Sequence, residues 1–105
     1  MAQATQVPEL QLARQAVERA SRADADQYAP DLLVSARQTL DAAQAASEGG
    51  RSERRQAPAL ALRAAADADL ARARSEEAVA RAQLDQRRAE AAELQRRLEG
   101  TGGRP

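Results

Sequence analysis

From Ala59 to Glu99 the chain contains neither glycine nor proline, and Ala, Leu, Arg, Glu and Gln, all strong helix formers, dominate that run. At 1.5 Å per residue it predicts one helix of roughly 65 Å. That is far longer than the core of a compact domain of 105 residues is wide, so the remaining residues must lie against this helix or leave part of it bare. The apolar side chains available are few. There are 28 alanines, 11 leucines, four valines, one methionine and one tyrosine, with no phenylalanine, tryptophan or isoleucine. A buried Ala methyl contributes roughly 0.8 kcal/mol and a buried Leu or Val roughly 1.5 to 3 kcal/mol. The core is therefore thin and needs close helix approach, and a second copy covering the remaining alanine faces would reinforce it. A homodimer is the expectation.

Residues 1–8 read as a flexible N-terminus, 9–99 as one helical domain and 100–105 as a flexible tail. The first helix is expected over 9–26, entered through Pro8 and Glu9, with Leu10, Ala13, Val17 and Ala20 stepping by 3 or 4 and Glu18 paired with Arg22. Pro30 removes a backbone donor and pushes Ala29 out of the α region, which puts a break at Tyr28 to Pro30. A second helix over 30–47 carries Leu33, Ala36, Leu40 and Ala43 and stops at Gly49 and Gly50, with Gly49 in the left-handed cap conformation. Ser52 is the expected cap of a third helix over 53–99, with Pro58 tolerated near its first turn. Along that helix an apolar seam runs through Ala59, Leu62, Ala66, Leu70, Ala73, Glu77, Ala80, Leu84, Arg87, Ala91, Leu94 and Leu98, and only Glu77 and Arg87 interrupt it.

The fold class is all-α. The first two helices end to end match the third in length, which predicts a long antiparallel hairpin turning at Gly49 and Gly50, its first arm broken near Tyr28–Pro30. In that register Leu40 faces Leu62, Leu33 faces Leu70, Val17 faces Leu84 and Leu10 faces Leu94. Leu70→Ala or Leu84→Ala would then cost about 2 to 5 kcal/mol. The alternative is a three-helix bundle folded back at Pro30, which leaves half of the third helix projecting. The net charge is zero, but residues 1–50 hold four arginines against seven acids and residues 51–105 hold twelve against nine, so the two halves attract.

The chemistry is sparse. With no His, Cys or Lys, the usual general base, the soft metal ligands and the Schiff-base amine are missing, so no catalytic residue, cofactor or metal is expected. Asp67 and Asp69, two apart on a helix, point in opposite directions and cannot share a substrate. Arginines near the turn and near the end of the third helix are interleaved with acids and lack aromatic partners, which argues against nucleic acid. No run approaches the ~20 apolar residues of a membrane span, and direct membrane insertion is not expected. Glu77 and Arg87 on the seam either fix register or partner choice, or mark where the seam turns to the surface. Tyr28 is either a plug over the break or a side chain that a partner recognises.

The run Tyr28-Ala29-Pro30-Asp31-Leu32-Leu33, then Ala36, Leu40 and Ala43, a glycine turn, and Ala64-Ala65-Ala66-Asp67-Ala68-Asp69-Leu70-Ala71 resembles a domain family of unknown function from Gram-negative envelope lipoproteins. Members of that family carry a lipoprotein signal, and some continue into an OmpA-like peptidoglycan-binding domain. The resemblance implies a periplasmic helical spacer or interaction module, tethered to the outer membrane in its precursor. Its implied partners are another envelope protein or, through a further domain, peptidoglycan. A cytoplasmic coiled-coil adaptor would share the same sequence features.

Overall fold

The computed structural model describes residues 7–102, and among these the chain is all-α. Four helices follow in order: α1 (Pro8–Arg22), α2 (Ala25–Tyr28), α3 (Pro30–Ser47) and α4 (Arg51–Gly102). Of the two ends expected to be flexible, residues 1–6 and 103–105 lie outside the described residues. Val7 and Pro8 instead form the entry of α1, and α4 runs past Gly100. There the Thr101 hydroxyl donates back to the Arg97 and Leu98 carbonyls at 2.9 and 3.2 Å, a back-bond along the last turn that leaves the helical ladder in place.

Pro8 stands in the first turn of α1, where its missing N–H is no loss, and Glu9 beside it faces the positive end of the helix dipole. The helix ends at Arg22, earlier than the spacing predicts, because Asp24 adopts the left-handed conformation (φ 64°, ψ 35°). The Ala23 N–H donates to the Arg19 and Ala20 carbonyls and the Asp24 N–H to Ser21, each at 3.1 Å, which closes the turn. One further helical turn, α2, follows. Ala29 then leaves the helical region (φ −144°, ψ 55°), as the clash of a following proline with α geometry requires, and α3 starts on Pro30. The chain therefore reverses over Ala23 to Ala29, with Tyr28 and Pro30 at the end of the reversal.

The second reversal uses its glycines for space. No described glycine has positive φ, so Gly49 is not the left-handed cap that the sequence predicts. Glu48 ends α3 in a nearly helical conformation, and the Glu48 and Gly49 N–H groups reach back three residues to Ala45 and Ala46. A Cβ on Gly49 would meet the Glu53 side chain at 3.0 Å, and one on Gly50 would meet its carboxylate at 3.0 Å. Glu53 lies over the turn because its Oε1 accepts the Gly50 N–H at 2.9 Å, half of a capping box. Ser52 sits exposed within the helix and does not fill the capping role predicted for it. Pro58 stands inside α4, beyond the first turn, and leaves the Arg54 carbonyl without its usual helical donor.

Of the two arrangements open from sequence, the described residues form the three-helix bundle. Arg14 on α1 donates to Gln44 on α3, and Arg37 on α3 donates to the Ser21 hydroxyl at 2.9 Å, so α1 and α3 run antiparallel side by side. Leu10 and Ala13 pack with Ala43, Ala61 and Ala64 in one cluster. Ala16, Val17, Ala20, Leu33 and Ala36 pack with Ala68 and Ala71 in the other, which makes α1 parallel to α4. The end-to-end pairing of Val17 with Leu84 and Leu10 with Leu94 does not form, since both α1 residues are enclosed by the first half of α4. The bundle stops at Val79, and from Ala80 to Thr101 every residue is exposed. The radius of gyration is 22.5 Å and the longest extent is 87 Å, against about 13 Å for a compact chain of this length.

Candidate interaction surface

α4 has two faces of opposite character. Its bundle side is Ala57, Ala61, Ala64, Ala68, Ala71 and Ser75, each fully buried. These positions step by 4 and 3 and carry nothing larger than a methyl or hydroxymethyl group, so α1 and α3 approach closely and supply the bulk themselves through Leu10, Val17, Leu33 and the half-buried Leu40. Ala64 and Leu62 are two residues apart, as are Ala68 and Leu70, which is about 200° around a helix. The seam read from the sequence is therefore the outer face, a correction to its assignment as core. Leu62, Leu70, Leu84 and Leu94 are 51, 43, 47 and 57% exposed, and Glu77 and Arg87 lie in the open among them. Leu62 and Leu70 face outward because α1 and α3 occupy the inner side, where only alanine leaves room for them, while Leu84 and Leu94 lie past the end of the bundle.

The remaining residues singled out from the sequence fall in the bundle or at its ends. Leu33, 1% exposed, is the largest fully enclosed side chain, and Leu40 touches both core clusters. Tyr28 is 38% exposed at the end of α2, with Pro30 beside it, while Gly49 and Gly50 make the other reversal. Ser75, buried with no partner for its hydroxyl, was not distinguished from the other serines by sequence. Its only signal was its place in the small-residue series of α4.

The projecting part of α4 is held by its own side chains. Arg81 meets Glu77 at 3.3 Å, and Glu93 takes Arg96 at 2.5 Å and Arg97 at 3.3 Å, all on exposed turns. Each such pair adds only about 0.2 to 0.5 kcal/mol to a helix. A groove at the open end of the bundle, between the start of α1 and the end of α3, is bordered by Leu12, Arg14, Gln44 and Glu48 and holds no nucleophile with an adjoining base. Among the described residues no group of three acidic, His or Cys side chains comes together to hold a metal ion. No described helix is long and apolar enough to cross a membrane.

The family profile described as "Domain of unknown function (DUF4398)" matches residues 8–87. The chain belongs to this family. The match takes in the whole bundle and the start of the projection, including both Glu77 and Arg87. No curated protein and no solved structure matches the chain.

Proposed function

We propose that this DUF4398 chain is a non-enzymatic helical interaction or spacer module of the bacterial cell envelope, one that self-associates. The observation that carries the reading is the outer half of α4. It extends the molecule to 87 Å, has no intramolecular cover, and displays leucines at helical spacing. A long, bare helix carrying a leucine stripe on a small anchoring bundle is suited to bridging and binding, because the stripe stays available for another surface. The non-enzymatic part rests on side-chain chemistry, since a chain of 105 residues with no His, Cys or Lys holds few groups able to move a proton near neutral pH. The envelope part rests on the resemblance to lipoprotein domains.

Two measurements test it. Fractionation of cells producing the protein from its native locus is expected to place it in the periplasmic or outer-membrane fraction. Recovery in the cytosol would favour a cytoplasmic coiled-coil adaptor instead. Light scattering combined with small-angle X-ray scattering is expected to give a species heavier than one chain and at least as long as the 87 Å monomer. A monomer at every concentration would remove the self-association.

A further inference from the structure

The outer face of α4 contains two charged positions of opposite sign, and their spacing says what covers it. Glu77 and Arg87 lie on the same stripe as Leu70, Leu84, Leu94 and Leu98, in the alternating 3 and 4 spacing of a coiled-coil seam. Arg87 has no ion-pair partner among the described residues, and Glu77 has only the exposed Arg81 one turn along. We infer that a second copy of this chain covers the face, running antiparallel, with Glu77 of each copy against Arg87 of the other and the two-fold axis passing beside Ala82. This rests on the self-association proposed above and specifies its geometry.

The alternatives differ in what they place at the seam. A parallel pair in register sets Glu77 against Glu77 and Arg87 against Arg87, two like-charge contacts in the most desolvated part of the interface. The antiparallel pair centred on Ala82 converts both into two opposite-charge contacts. The same register needs no further adjustment elsewhere. Leu84 falls against Ala80, Leu70 against Leu94, and Leu98 against Ala66, large against small or apolar against apolar throughout. At the edges Arg74 comes near Arg88 and Glu76 near Glu90, which opposes the arrangement. Those positions stay in water, where screening reduces such contacts to a fraction of a kilocalorie, whereas seam charges are desolvated.

Length agrees with charge. With the axis at Ala82, Leu62 lies opposite Gly102, so the bare half of each α4 rests on the back of the bundle-supported half of the other. The overlap is about 60 Å long at 1.5 Å per residue. With helices 8 to 10 Å apart, facing side chains stay in contact along that whole length.

The test uses the whole chain. Sedimentation equilibrium is run on the natural sequence, on Glu77→Arg, on Arg87→Glu and on the double reversal Glu77→Arg/Arg87→Glu. Both positions are exposed in the monomer, and unchanged far-UV circular dichroism at low concentration checks that each variant folds. Each single reversal is expected to weaken the dimer about a hundredfold, roughly tenfold for each of the two symmetry-related contacts, and the double reversal to restore it. A spin label at Glu99→Cys, clean because the chain has no other cysteine, is expected to lie about 50 Å from its copy across an axis at Ala82. A dimer indifferent to the single reversals, with labels within about 20 Å of each other as helix spacing dictates for parallel strands, would overturn the antiparallel register and leave self-association standing. A chain that stays monomeric would overturn both.

Discussion

Leu33→Ala tests whether the alanine-walled core is closed. Leu33 is 1% exposed and belongs to a cluster whose other buried members are Ala16, Val17, Ala20, Ala25, Ala29, Ala36, Ala68 and Ala71, all but Val17 alanines. Truncation removes three carbon atoms from an apolar site, a transfer loss of about 2.4 kcal/mol at ~0.8 each. Alanine neighbours have no rotatable reach into the space left behind, and their backbones are fixed in three separate helices. The cavity therefore persists and brings the total to about 4 kcal/mol, in the upper part of the usual range for Leu→Ala. Leu12, on the outer side of α1 and 52% exposed, loses the same atoms without leaving a cavity. Alanine's better helix propensity offsets part of that, for a net cost under about 1 kcal/mol. Urea unfolding is the assay, followed by the fluorescence of Tyr28, which sits at the bundle's reversal and is the only tyrosine, alongside far-UV circular dichroism, which also sees the projection. A thin core places total stability near the low end of the usual 5 to 15 kcal/mol, so Leu33→Ala should leave a barely folded chain. Equal costs for the two variants, or a cost below about 1 kcal/mol for Leu33→Ala, would show that α3 is not enclosed as described.

Ser75→Ala is expected to stabilise the bundle by about 1 kcal/mol in the same denaturant series, since it removes a buried hydroxyl that has no partner and improves helix propensity. Pro58→Ala should add about 1 to 3 kcal/mol by returning a donor to the Arg54 carbonyl, read as a raised melting temperature. Ala64→Leu places a large side chain where α1, α3 and α4 meet and should cost about 1 to 3 kcal/mol by overpacking, while Ala82→Leu on the projecting, exposed turn leaves the midpoint within about 0.5 kcal/mol. Leu70→Ala, which as a core residue would cost several kilocalories, should cost under about 1 kcal/mol in the dilute monomer, where Leu70 is 43% exposed.

The helices were legible in the chain because their punctuation is strong. Pro8 and Pro30 each open a helix, the glycine pair separates α3 from α4, and the breaker-free run is one helix. What the sequence hid was the direction in which α4 faces. Two series spaced by 3 and 4 coexist along it, and assigning the larger side chains to the core selects the wrong one. The inner series, Ala57, Ala61, Ala64, Ala68, Ala71 and Ser75, contains no charge, and continues through Ala78 and Ala82 before meeting Asp85. The leucine series meets Glu77 first. Counting uninterrupted length instead of side-chain volume would have chosen the inner face. The reversal at Asp24 had no comparable signal, because an aspartate in the left-handed conformation looks like any other polar residue in a row containing Asp24 and Asp26.

The division of labour on α4 also bears on what its leucines are for. A single half-exposed leucine needs no explanation. Five of them, Leu62, Leu70, Leu84, Leu94 and Leu98, sharing one side of a helix whose other side is taken up by the bundle as far as Ser75, are harder to assign to chance. Within one chain they do little for the fold, since the bundle would close as well with alanine at those positions. The projecting half meanwhile has only propensity and exposed ion pairs to hold it. Covering the stripe supplies the bare half with the packing it lacks and gives the leucines the burial they lack. The positions of Glu77 and Arg87 then decide orientation, because a charge on an apolar seam costs little only where its opposite meets it.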